Sequence, residues 1–437
     1  MATHASNVIP ITEERPTHVR YWVVVFAVTL AVFSYIDRVA LSRAAGTISK
    51  ELGLSKEQMG WVFFAFASAY AAFEIPSGYM GDRWGPRRVL MRIVIWWSFF
   101  TAATGWAFNF ISLFLTQLLF GAGEAGCFPN ITRAFATWLP REERVQAQGI
   151  IWLAARWGGA FTPLVVVLLF RFVSWRLAFG IFGMLGVIWA IFFYRWFRDN
   201  PADNPKVNAA ELKLMRGSEQ LLGHGKIPWG KFAGSKQVRL LCAQYFCLSF
   251  GWYFYITWLP TFLDEKLKLT LSQGAFYGIL PLFLGGLGSL FCGFISSYLT
   301  RVTGSITKTR KLLACVGFLG AGGLLILATF LSDPLAVMLS IGFASFCNDL
   351  VMPTSWGACM DVGGKLAGTL SGTMNMMGNF GGALYPVVTG YILRQFNNNW
   401  DLPLYISAAV YFCGIFLWLA LDPVTPIERT DVKIEAA

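Results

Sequence analysis

Apolar residues run along this chain in twelve stretches of about 20, the length an α-helix needs to cross the hydrocarbon core of a bilayer. The stretches occupy residues 20–42, 58–80, 89–107, 111–132, 147–170, 177–196, 238–262, 272–299, 311–331, 335–360, 367–393 and 403–421. Between the sixth and seventh lies one long polar connection, Arg198 to Lys236, which holds Asp199, Pro201, Pro205 and several lysines. The pattern predicts an all-α membrane protein with twelve transmembrane helices in two six-helix halves. Its expected parts are an N-terminal tail (1–19), a first half (20–197), a central loop (198–236), a second half (237–422) and a C-terminal tail (423–437). The opening residues are polar and mixed in charge and lack the apolar centre of a signal peptide, so the first stretch is expected to stay in the mature chain.

Composition narrows this picture. Of 437 residues, 56% are hydrophobic and 14% charged, whereas a soluble domain carries about a quarter charged residues. The net charge of +11 lies in short connections rather than on one polar face, so it carries topology information and argues against a nucleic-acid partner. With both termini cytoplasmic, roughly 25 of the basic residues face inward and about eight outward, as the positive-inside rule requires. The eight cysteines (127, 242, 247, 292, 315, 347, 359, 413) fall almost wholly in apolar segments without a CxxC pair or a nearby His, which reads as packing rather than metal binding. All three His (4, 18 and 224) sit in the tail or the central loop, and the spans hold no nucleophile with its base, so an enzyme is not expected.

Between the second and third stretches the chain reads Gly78-Tyr79-Met80-Gly81-Asp82-Arg83-Trp84-Gly85-Pro86-Arg87-Arg88. This is similar to the GxxxDRxGxRR signature of the major facilitator superfamily, with Gly78, Asp82, Arg83, Gly85, Arg87 and Arg88 all in place. Asp82 stands just past a helix end, where it can pair with Arg83, Arg87 or Arg88 or face a neighbouring helix terminus. Such a charge cluster can hold two halves of a bundle together in one state and release them in another. A weaker echo follows the eighth stretch at Gly293, with Ser297 where the acid would stand and Arg301 beyond it. The missing acid implies that the second copy latches weakly or not at all.

Ionisable residues inside a membrane are costly and mark cavities or pairs. Asp37 and Arg38, adjacent in the first stretch, point about 100° apart and address different parts of the interior. Glu124 sits among glycines in the fourth stretch, with Gln117 two turns earlier on its face. Arg156 in the fifth can hold a substrate carboxylate or neutralise Glu124. Glu74 and Asp349 can serve a pore or brace helices. Ser371, Asn375 and Asn379 share a face of the eleventh stretch, and Thr354 and Ser355 follow Pro353 in the tenth; these groups can bind hydroxyls or neighbouring helices.

Tyr35-Ile36-Asp37-Arg38, Gly123-Glu124-Ala125, Trp252-Tyr253 with Trp258-Leu259-Pro260, and Gly368 to Gly390 with Met374-Asn375-Met376 extend the likeness across both halves. The chain resembles the anion:cation symporter family within that superfamily, which holds bacterial sugar-acid and hexuronate transporters, sialin and the vesicular glutamate carriers. The resemblance implies proton-coupled symport of an organic anion, a sugar acid such as an aldonate, hexuronate or aldarate, by alternating access. A uniporter or exchanger for another carboxylate, such as a hydroxylated aromatic acid, is the alternative. It further implies that Arg38 binds the carboxylate and that Asp37 and Glu124 carry protons. Tyr35, Tyr70, Gln117, Arg156, Tyr253, Thr354, Ser355 and Asn375 complete the expected substrate contacts. Many relatives carry Arg where this chain has Gln117, so either Arg156 takes over as partner of Glu124 or Glu124 stays protonated more readily. No cofactor or metal is expected, only a proton gradient. The expected setting is a bacterial inner membrane, with the protein working as a monomer.

Overall fold

The computed structural model describes residues 15–215 and 229–427, so the tails and the central loop are covered in part and His4 and His224 lie outside the described residues. Twelve long helical segments follow one another: α1 (Tyr21–Leu52), α2 (Lys56–Trp84), α3 (Pro86–Thr104), α4 in two pieces (Phe110–Glu124 and Cys127–Trp138), α5 (Arg141–Phe170) and α6 (Trp175–Trp196), then α7 (Lys236–Thr257), α8 (Ile279–Thr303), α9 (Ile306–Phe330), α10 (Pro334–Gly363), α11 (Ala367–Gln395) and α12 (Asp401–Ala420). Eight stretches of the described residues are long and apolar enough to cross a membrane, one of them, Pro334–Gln395, comprising both α10 and α11. The other long helices are α3, whose Arg87, Arg88 and Arg92 lower its hydropathy, α5 and α7.

Local chemistry sets the boundaries. Capping boxes of Ser55 with Gln58 and of Asn109 with Ser112 open α2 and α4, satisfying donors that a first turn leaves without partners. Pro86 and Pro334 occupy first-turn positions, where a missing N–H costs nothing. Pro353 lies inside the helix α10. The exposed rings of Trp106, Phe108, Phe172 and Phe330 lie near helix ends, where interfacial aromatics are found.

The packing repeats with an offset of six helices. In the first half α1 packs on α5 and α6, α2 on α4, and α3 on α4 and α6; in the second, α7 packs on α11 and α12, α8 on α10, and α9 on α10 and α12. Across the seam α5 lies on α8 and α2 on α11, which the same offset relates.

The fourth span is broken at mid-depth. Ala125 leaves the helical region and Gly126 takes φ +84°, a conformation that a side chain rarely adopts. Glu124 ends the first piece at this break.

Candidate functional site

Helical spacing places Ser34 and Arg38, four apart on α1, on one face. Both reach Glu124: the Ser34 hydroxyl donates to Oε1, and Arg38 Nε donates to Oε1 at 3.0 Å and Oε2 at 3.2 Å. Glu124 is wholly buried, while the Arg38 side chain is 25% exposed. The guanidinium lies over the rings of Tyr70, Phe66 and Tyr35, with centroids at 4.5, 5.3 and 5.8 Å. Its Nη2 is buried without a hydrogen-bond partner. Asp37 turns away, as the adjacent position predicts, and accepts from Thr101 of α3 at 3.3 Å.

Arg156 has a different partner from either expected one. Its Nε and Nη2 each donate at 2.8 Å to Asp349 of α10, forming a buried bidentate pair between the halves. Asn348 adds a third donor at 3.0 Å, and Trp252 covers the guanidinium at 4.0 Å. Arg156 therefore does not stand in for the missing arginine near Glu124; Arg38 fills that place from α1. Gln117, expected among the substrate contacts, donates to Thr104 of α3 at 2.8 Å and is buried there.

Most groups expected to meet hydroxyls are also engaged elsewhere. Thr354 bonds to the Leu350 carbonyl and lies 3.3 Å from Cys292 Sγ, while Ser355 donates to Gln244 and to the Val351 carbonyl. Both are fully buried between helices. Asn375 donates to Glu74 of α2, and Asn379 does so at 3.4 Å. The Tyr253 hydroxyl donates to Asn379 at 3.4 Å. Tyr35 and Tyr70 are the candidates that remain beside Arg38.

The C-terminal end of α2 forms a latch, with Asp82 inside its last turn rather than just past the helix end as expected. Asp82 accepts from the backbone N–H groups of Gly368 (2.9 Å) and Thr369 (2.6 Å) and from the Thr369 hydroxyl (2.7 Å), at the start of α11. A carboxylate at a helix N-terminus is stabilised by these donors and by the helix dipole. Of the alternatives left open for Asp82, the helix terminus is the one formed. Its basic partner is Arg133 of α4, at 3.4 Å, rather than a motif arginine: Arg83 donates to Tyr79, Arg87 to the Tyr194 carbonyl, and Arg88 is exposed. Gly78 packs so closely on the Gly368 carbonyl that a Cβ would overlap it, and Gly85 has φ +83°.

A second ionic cluster joins the halves, built on Asp361 rather than on the echo motif. Asp361 near the end of α10 receives Arg144 of α5 and Arg310 of α9, the latter at 2.7 Å, with Arg141 at 3.7 Å. Sequence reasoning missed Asp361, Arg133, Arg144 and Thr101. The acid and the two arginines were visible close to span ends, but nothing in their spacing paired them.

The sequence profile of the Major Facilitator Superfamily matches residues 27–386. The chain belongs to that superfamily. This facilitator is 35% identical to the probable sulfoacetate transporter of Cupriavidus necator, over 92% of this chain and 93% of that one. It is 30% identical to a probable galactarate/D-glucarate transporter of Escherichia coli, over 96% of each, and 28% identical to the hexuronate transporter of Bacillus subtilis, over 85% and 88%. The resemblance to sugar-acid and other anion carriers therefore stands, and the chain is a multi-pass membrane transporter rather than an enzyme. Among solved structures, a proton:xylose symporter of the superfamily superimposes with a TM-score of 0.74 over 94% of this chain and 98% of that one, at 14% identity. That likeness shows the facilitator fold, in which twelve helices form two related halves.

Proposed function

We propose that this facilitator is a proton-coupled symporter of a small organic anion, a sugar acid first of all, and that Arg38 binds the anion. The observation that carries the reading is the state of Arg38: one edge is held by Glu124, the faces are lined by aromatic rings, and Nη2 is buried with no partner. An arginine so placed can take a carboxylate in a fork. In a low-dielectric site one guanidinium does not neutralise both Glu124 and a bound anion, so the anion enters together with a proton on Glu124. Asp37 is a second proton site, held by Thr101. The related halves rock about this centre. The working form is a monomer in a bacterial plasma membrane with both termini cytoplasmic, in keeping with the bias of Lys and Arg.

The test is proton movement in proteoliposomes of the purified protein. Adding D-galactonate, D-glucarate or D-glucuronate outside should alkalinise the outer medium; a transported anion that moves no protons sinks the coupling, and dependence on an internal anion makes the protein an exchanger. A short sulfonated carboxylate is the second reading. It is favoured by the engagement of Thr354, Ser355 and Gln117 in helix packing, which leaves few hydroxyl-binding groups, and by the sulfoacetate-related relative. Sulfoacetate belongs in the same assay.

A further inference from the structure

We propose that Glu74 is an additional proton-binding residue of the transport cycle, and that its protonation lets α2 and α11 close against each other. This deepens the symport reading by adding an acid that senses the seam between the halves. Glu74 is wholly buried, and its carboxyl is contacted from the opposite half by the amides of Asn375 and Asn379. The backbones meet closely as well: a Cβ on Gly372 of α11 would come within 2.6 Å of the Glu74 carbonyl oxygen. Glu74 lies about ten residues, roughly 15 Å, from the end of α2 that carries the Asp82 latch.

The charged and titratable groups around it are Arg38 of α1, Tyr70 one turn earlier on α2, and Tyr245 and Tyr253 of α7; α11 presents the two amides. Arg38 is the cation among them, and Glu124 already matches its charge. Glu74 therefore differs from Glu124 and Asp349, each of which holds an arginine directly. A buried carboxyl without its own counter-ion is accommodated as the neutral acid, and an Asn amide turned about its terminal bond presents the oxygen that accepts the acid proton. When the halves part, water replaces the amides and the carboxylate is solvated. The chemistry is one O–H bond, made with a proton from the open side and broken when the seam next opens. Asp37 does not serve this purpose, because its partner Thr101 belongs to the same half.

The experiment follows deuterium uptake of the substrate-free, full-length protein in detergent at residues 78–84 and 364–372, corrected for the intrinsic pH dependence of exchange. In the wild type, protection of this seam should rise as the pH is lowered. Protonation of Asp82 alone would have the opposite sign, since it weakens the acceptor of the Gly368 and Thr369 N–H groups. Glu74→Gln should be protected at every pH, and Glu74→Asp should keep the pH response. A wild type without the response, or a Glu74→Gln protein that retains it, overturns the proposal. If Glu74→Gln does not fold, Asn375→Leu removes the amide that donates to the carboxylate from the opposite half and should move the response to higher pH; an unmoved response is equally fatal. Because no substrate is present, failure here leaves anion symport standing, and failure of symport leaves this result to be read on its own.

Discussion

Arg38 and Glu124 belong to one half of the bundle and leave a buried N–H without an acceptor, whereas Arg156 and Asp349 join the two halves through a bidentate bond supported by Asn348 and a covering Trp252. Both pairs lie deep in apolar helices and use the same two functional groups. The first is incomplete at Arg38 Nη2, and an incomplete arginine can gain from a ligand. The second is complete, so an anion arriving there would have to displace a carboxylate that already satisfies the guanidinium. The contrast separates binding from bracing better than residue type does.

The largest expected effect comes from breaking the complete pair. Arg156→Gln or Asp349→Asn leaves one charge buried alone and should cost about 3–5 kcal/mol, seen as a fall in thermal stability of the purified protein. Replacing both at once, Arg156→Met with Asp349→Leu, should recover most of that loss. If the double variant is no better than the singles, the pair is not a self-contained brace. Next comes Arg38→Gln, which should weaken binding of any transported anion roughly a hundredfold, about 2.7 kcal/mol, with less loss of stability than Arg156→Gln; titration calorimetry and thermal shifts with the anion check both halves of that statement.

A smaller effect is expected where Glu211 of the central loop meets residues 17–20. Glu211 accepts from the Thr17 hydroxyl, from the backbone N–H of Val19 and Arg20, and from the Arg20 side chain. Burial pushes its carboxyl up, but these hydrogen bonds outweigh burial and hold it below the usual carboxylate range. A depressed folded value means the anchoring of residues 17–20 is fully present above the ordinary glutamate range and fades as the pH falls through the depressed one. Limited proteolysis of this segment should show release in acid, and Glu211→Gln should loosen it at neutral pH and remove the acid dependence. The smallest effect is expected from Ser355→Ala, which removes a neutral hydrogen bond worth about 1 kcal/mol and should leave anion affinity unchanged; a specific loss of affinity would return Ser355 to the binding site.

The spans were legible because lipid imposes a long apolar run on every crossing helix. The loop motif was legible because its full spacing is present, although only Gly85 answers a local backbone demand and Gly78 answers the distant Gly368 carbonyl. Asp37 and Arg38 were legible as diverging groups, since adjacent helical positions diverge wherever the helix lies. Partners were not legible. Arg156 meets an acid 193 residues away, and nothing in the local sequence distinguishes Asp349 from Glu124 as its mate. Thr354 and Ser355 illustrate the same limit: a polar residue beside a proline can face a cavity or a neighbouring helix, and the choice is made by α7 and α8, which supply Gln244 and Cys292.

The break at Ala125 and Gly126 has a mechanical consequence. An unbroken helix behaves as a rod, and tilting one end swings the other, whereas bending concentrates where the ladder of hydrogen bonds is interrupted. In α4 that interruption lies between Glu124, which holds Arg38, and Arg133, which holds Asp82. The lower piece can thus follow the latch through a change of tilt while the upper piece keeps its carboxylate in register with α1, so the span works as two short levers on a common joint.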